Sequence, residues 1–384
     1  MKIRLAFLLV ILAAGAAWSA EYRQMPVDTY VDKMKGGWAG EMIGVSYGAQ
    51  TEFRARNRIF EEEIVPAGID NALGQDDVYV DLSFLEALEK YGLDATYKEA
   101  GKAFAETKFS LWHANKAGRD NVRAGIMPPD SGSPKYNSHC DDIDFQIEAD
   151  IFGLINPGLP RSSNAICNTF GRIMNYGDGL YGGMFMAAMY TQAFFEPDMG
   201  KVVRNALRAI PSESTYAQTI RDVMLWQKTH PDDWRETWRR VEDKWAAHPS
   251  GRCSIFGRNG NIDAKLNGAY VVMGLLYGNG DLEKTMEVAT RCGQDSDCNP
   301  ANAAGILCTS LGFSGLPEKY KTGISGISDK KFAEVKYTFN DVAPVCLRFA
   351  RENIKRAGGF SKVIGGKEVF FIPKQYPLAP RLEQ

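Results

Sequence analysis

The tripeptide Gly-Gln-Asp occurs twice, as Gly74-Gln75-Asp76-Asp77 and as Gly293-Gln294-Asp295-Ser296-Asp297, each time ahead of an apolar-patterned run. Asp76, Asp77, Asp295 and Asp297 therefore stand at two expected helix starts. An aspartate there can cap free backbone N–H groups and face the positive end of the helix dipole, so either cassette alone is explained by capping. Two doubly acidic cassettes far apart in the chain carry a second meaning. If the helix ends converge, they make a hard, oxygen-rich site for Mg²⁺, as one ion or two, with Mn²⁺ or Ca²⁺ as alternatives.

A third acidic stretch runs from His139 to Asp150. With Asp141 as a helix cap, Asp144 and Glu148 would share one face. Such runs are commonly solvated helix starts. Apolar neighbours and a nearby histidine also make Asp142 and Asp144 candidate catalytic carboxylates lining a cleft. His139 itself reads as a loop histidine. Among the aromatics, Tyr136 and Tyr181 lie in polar or glycine-rich segments and can stack on a sugar or adenine ring. Trp38, Tyr47, Tyr79 and Trp112, at helical spacing, read as core. No Ser/His/Asp order, phosphate-binding Gly-Lys motif or dinucleotide fingerprint stands out.

These residues need a scaffold, and its pattern is mainly helical. From Asp76 to Tyr91 the residues Val78, Leu82, Leu85 and Leu88 recur on one face, with Gly92 as a stop and Asp81 inside the same arc. Asp81 is expected to be a buried polar partner of a neighbouring segment or a support behind the first cassette. Helical spacing also covers 96–113, 143–154, 180–195, 199–210, 232–245, 264–277, 282–292 and 301–311. Strand signals concentrate near the C-terminus. There, Lys362-Val363-Ile364, the turn Gly365-Gly366 and Val369-Phe370-Phe371-Ile372 read as a hairpin. The expected fold is all-α, a compact helical domain over residues 21–384 with a small C-terminal β-hairpin.

Lys2 and Arg4 precede an apolar run from Leu5 to Leu12 and then small residues to Ala20, the pattern of a secretory signal peptide over residues 1–20. Export to the periplasm or beyond follows from that reading, with no membrane span in the mature chain. With 45 basic and 47 acidic residues and no long Lys/Arg block, nucleic acid is not an expected partner. The 7 cysteines are an odd number, and Cys292 with Cys298 or Cys140 with Cys167 are possible pairs in an oxidising compartment. Zinc-finger spacing is absent.

The second cassette and its continuation, Gly293 to Gly305, resemble the Asp-Thr-Asp-Thr segment and Ala/Gly-rich helix of the ADP-ribosylglycohydrolase family. Gln75-Asp76-Asp77-Val78 resembles that family's Thr-Asp-Asp-Thr. Gly36 to Phe53 is similar to its N-terminal Gly-rich helix, with Gly40-Glu41-Met42-Ile43-Gly44 for Gly-Asp-x-x-Gly and Glu52 as the closing glutamate. Gly177-Asp178-Gly179 stands where the family has a Gly-Asn-Gly loop. The resemblance spans about Gly36 to Gly312 and implies an orthogonal helical fold whose cleft holds two divalent metals and cleaves a glycosidic bond to ADP-ribose. It implies Asp76, Asp77, Asp295 and Asp297 as metal ligands, Glu52 as a catalytic carboxylate, and Asp178, Gly179 and Tyr181 at the substrate. The implied partner is an ADP-ribosylated protein, or a smaller substrate or glycan.

Four departures accompany the resemblance. Gln75 and Cys298 replace metal-binding threonines, Asp178 replaces the loop asparagine, and Thr191-Gln192 replaces a Thr-His pair. They fall on presumed cleft positions and imply a changed substrate on a retained scaffold. Three functions stay open: ADP-ribose removal, hydrolysis of another glycoside or nucleoside-like bond outside the cell, and carbohydrate binding without turnover.

Overall fold

The computed structural model describes residues 21–246 and 262–383. The proposed signal peptide, Cys253 and the proposed loop 249–261 lie outside the described residues.

The helix Val27–Gly48 carries Gly36, Gly40, Gly44 and Gly48 at intervals of four, so they line one face. That face lies directly on the helix Cys298–Leu311. A Cβ on Gly40, Gly44 or Gly48 would collide with the backbone of Ala304, Pro300 or Ser296, respectively. Glycine here permits a backbone-to-backbone approach that no other residue allows. The contact sets the second cassette against the C-terminal end of the first helix.

The helix Asp76–Tyr91 follows the extended Gln75 and stops at Gly92, whose φ is 78° and whose N–H donates to Leu88 O at 2.8 Å. Val78, Leu82, Leu85 and Leu88 are buried on it, as their spacing predicts. Asp81 supports the neighbouring segment: its Oδ2 accepts the Ile151 N–H at 2.9 Å at the start of the helix Asp150–Leu154. The predicted single helix over 143–154 is instead two short ones, Asp144–Ile147 and Asp150–Leu154. Asp141 does not cap the first of these, which is preceded by Ile143. The run 96–113 also divides, into Tyr97–Glu106 and His113–Arg123, with Trp112 extended between them.

Behind the cassettes the core is apolar. Met184, Met186, Met189 and Phe185 are fully buried on the helix Asp178–Ala193. The C-terminal hairpin forms, with β2 (Phe360–Ile364) and β3 (Lys367–Pro373) joined through Gly365 and Gly366 at φ 57° and 80°. Paired positive φ values suit a tight two-residue turn. An N-terminal strand that the sequence reading missed, β1 (Tyr22–Pro26), pairs antiparallel with β3 and completes a sheet in the order β1-β3-β2. Cys292 and Cys298 are separate buried thiols, and the pairing Cys140–Cys167 is likewise not formed.

Candidate active site

The two cassettes meet. Asp76, Asp295 and Asp297 line one cavity of about 270 Å³, together with Gln75, Cys298, Glu52, Phe53, Trp112, His113, Asn115 and Asp144. A larger cavity of about 340 Å³, bordered by Glu86, Lys90 and Glu106, contains no cassette residue. Asp77 is buried behind the wall, where the Cys298 thiol reaches its Oδ2 at 3.4 Å.

Neither cassette is built as a simple cap. The residues preceding the two helices, Gln75 and Asp297, make no side-chain capping hydrogen bond. The second cassette turns through left-handed backbone at Gly293 (φ 82°) and Gln294 (φ 59°). A Cβ on Gly293 would strike the Ala55 carbonyl, so glycine is required on two counts. Gln294 N–H donates to Ala55 O at 2.8 Å, Phe53 N–H donates to Gln294 O at 2.9 Å, and the Thr51 and Ser296 hydroxyls lie 2.7 Å apart. This short backbone pairing carries Glu52 to the cavity lip beside Asp295 and Asp297.

Burial first, and mutual repulsion second, raise the carboxyl pKa values. Burial and the charge of Asp297 push Asp76 up to about 6. Asp77 and Asp295 rise well above the carboxylate range for the same two reasons, with Asp76 adding to the shift of Asp77. Desolvation with Asp297 and Asp76 lifts Glu52 to about 7, although Glu52 as a whole residue is exposed. The buried oxygens Asp77 Oδ1, Asp295 Oδ1 and Asp297 Oδ1 have no hydrogen-bond partner. Desolvated, unpartnered carboxylates are costly unless a proton or a cation compensates them. The donor set fits a divalent cation, and potential ligand atoms of Asp295, Asp297 and Cys298 lie within 4.8 Å of one another. Cys298 is the soft exception in an otherwise hard set.

In the same cavity the Asn115 N–H donates to Asp144 Oδ1 at 2.9 Å, and its side-chain amide donates to Glu148. Burial lifts Asp144 to about 7 against that hydrogen bond, and burial with the charge of Asp144 raises Glu148 well above its ordinary value. Asp142 is fully buried and does not line the cavity; its Oδ2 lies 2.7 Å from His139 Nδ1.

The loop candidates lie elsewhere. Asp178 lines a separate pocket with Glu213, Thr215 and Glu383, where the Thr215 hydroxyl donates to it. Gly179 is packed against Asn175 and the Cys140 carbonyl, where a Cβ would collide. The Tyr181 hydroxyl is occupied by Glu383 N–H at 2.8 Å and Arg381 O at 3.3 Å. The C-terminal segment thus covers this helix start, and none of the three lines the acidic cavity. The aromatic expectation changes in the same way: Trp112, read as core, is 51% exposed on the cavity wall, while neither Tyr136 nor Tyr181 lines it. Sequence reasoning also missed Asn115 and His113. Continuous helical spacing through 96–113 conceals the break before His113 that brings both residues to the cavity.

The ADP-ribosylglycohydrolase family model matches residues 26–349, and the chain belongs to that family. A solved structure described as an ADP-ribosylglycohydrolase-related protein complex shares its fold, with TM-score 0.53 at 15% identity, covering 85% of this chain and 99% of the other. No curated protein matches the chain. Family membership supports a glycohydrolase-type function and makes metal use typical.

Proposed function

We propose that the protein hydrolyses a glycosidic bond with the help of one or two divalent cations, Mg²⁺ first among them, held by Asp76, Asp77, Asp295 and Asp297. The convergence of both acidic cassettes on one cavity, with unpartnered buried oxygens, carries this reading. When bound, such a cation polarises oxygen ligands and acidifies water. Glu52, near neutrality at about 7, is suited to accept and return a proton at the cavity lip. Asp144, also lifted to about 7, is the second non-cassette carboxyl lining the cavity; glycoside hydrolysis commonly uses two. Asn115 orients Asp144, and Trp112 offers an exposed apolar face for a sugar or base ring. Asp142 acts through His139 rather than on the substrate. Asp178, Gly179 and Tyr181 contribute by shaping the helix start under the C-terminal segment.

The substrate we place first is an ADP-ribosyl group on an N- or O-linked acceptor. Gln75 and Cys298 at threonine positions, with the proposed exported location, favour a second reading in which another glycoside or nucleoside-like bond is cleaved outside the cell. Turnover of ADP-ribosyl-arginine beside a panel of nitrophenyl glycosides, with Mg²⁺, Mn²⁺, Ca²⁺ or chelator, separates them. Chelator-sensitive release of ADP-ribose supports the first reading, and release from a plain glycoside alone supports the second. Silence on both leaves carbohydrate binding without turnover.

A further inference from the structure

His113 and His139 come from different segments yet meet at one buried carboxylate. Potential ligand atoms of His113, His139 and Asp142 lie within 4.8 Å of one another, and the two rings are 5.7 Å apart between centroids. We propose that these three residues form a second metal site, distinct from the acidic cassettes, that takes a borderline transition-metal ion of the Zn²⁺ class. Two imidazoles and one carboxylate make a nitrogen-rich donor set, which suits Zn²⁺, Co²⁺ or Ni²⁺ and is a poor match for Mg²⁺.

The supporting backbone is built to hold this triad. Buried Asn137 accepts the His139 N–H at 2.9 Å and donates to the carbonyls of Ala114 at 3.0 Å and Met174 at 2.8 Å. One side chain therefore fixes the segment bearing His139 to the residue that follows His113. His113 sits in left-handed backbone at φ 42°, a conformation of appreciable cost for a residue with a side chain, retained where its surroundings over-determine it. Asp142 N–H donates to His139 O at 2.9 Å, and Asn175 holds the Asp142 carbonyl at 2.7 Å.

Tetrahedral Zn²⁺ with bonds of about 2.0–2.2 Å spaces its ligand atoms about 3.3 Å apart. The potential ligand atoms lie within 4.8 Å of one another, and the hydrogen-bonded Nδ1–Oδ2 pair at 2.7 Å would open towards that spacing once a metal ion replaces the shared proton. Three protein ligands leave the fourth position for water or a substrate oxygen. His113 also lines the acidic cavity, so the two metal chemistries would adjoin. Without a metal, the same residues form a hydrogen-bonded pair and a ring contact that brace the cavity wall.

The test uses the purified metal-free protein with Zn²⁺ alone in titration calorimetry, and Co²⁺ alone followed by its visible d–d absorption. His139→Ala, on a half-buried ring, is compared with His139→Gln and with Asp297→Asn in the acidic centre, each confirmed folded by circular dichroism. The proposal requires that both His139 variants lose one equivalent of Zn²⁺, or bind it at least tenfold more weakly, and lose the Co²⁺ band, while Asp297→Asn keeps that His139-dependent equivalent and the band. Zn²⁺ binding unchanged in the His139 variants, or a Co²⁺ band lost only in Asp297→Asn, would overturn it.

Discussion

The Cys298 thiol lies 3.4 Å from Oδ2 of Asp77, joining the start of one cassette helix to the start of the other. A thiol there is a soft donor among carboxylates. Cys298→Thr, which puts a hydroxyl at this position, should shift metal preference several-fold towards Mg²⁺ and away from Cd²⁺ in a competition titration. An unchanged preference would mean that the sulfur is not a ligand.

Gly44 marks where the scaffold creates the site. Gly44→Ala drives a Cβ into the Pro300 backbone, and overpacking of this kind costs about 1–3 kcal/mol. Thermal stability and Mn²⁺ affinity should fall together, because the second cassette is seated by this contact. Gly326→Ala, in the helix Glu318–Ile327 with nothing near its Cβ position, should instead raise stability by about 0.5–1 kcal/mol. Thermal melts of the two variants side by side check both signs.

The glycine stripe, both acidic cassettes and the hairpin were legible because each depends on residues close in sequence. What was not legible depends on tertiary placement. Asn115 carries no local mark of its role; it matters because His113–Arg123 packs against Asp144 and Glu148. Trp112 has helical spacing with its neighbours, yet the chain breaks there and exposes it. Asp178 and Tyr181 read locally as a loop open to substrate, and only the fold shows the distant Arg381 and Glu383 bonded to the Tyr181 hydroxyl. β1 was missed because its five residues gain their partner from the far end of the chain.

Asn115→Leu should remove the amide that satisfies Glu148 and leave a buried carboxyl without its donor, at about 1–3 kcal/mol. The backbone N–H to Asp144 survives the change, so metal affinity should hold while stability falls. Chemical denaturation and Mn²⁺ titration on the same variant separate the two effects.

The pH dependence of the metal-free protein follows from the raised carboxyls. Asp144 moves from an ordinary 3.8 to about 7, and Asp76 from 3.8 to about 6. The folded state then holds protons that the unfolded state has released, so their contribution is full below about pH 4 and is lost as pH rises through 6 to 7. Thermal melts with chelator should show stability declining across that window. Saturating Mg²⁺ should flatten the part of the decline that comes from Asp76, because the cation replaces its proton, and leave the Asp144 part.

Mn²⁺ binding to Asp76→Asn and to Asp297→Asn, measured by calorimetry on folded protein, tests the central claim that two distant cassettes make one metal centre. The account predicts that each single substitution weakens Mn²⁺ by at least tenfold and abolishes chelator-sensitive turnover. Wild-type Mn²⁺ affinity in either variant would contradict it.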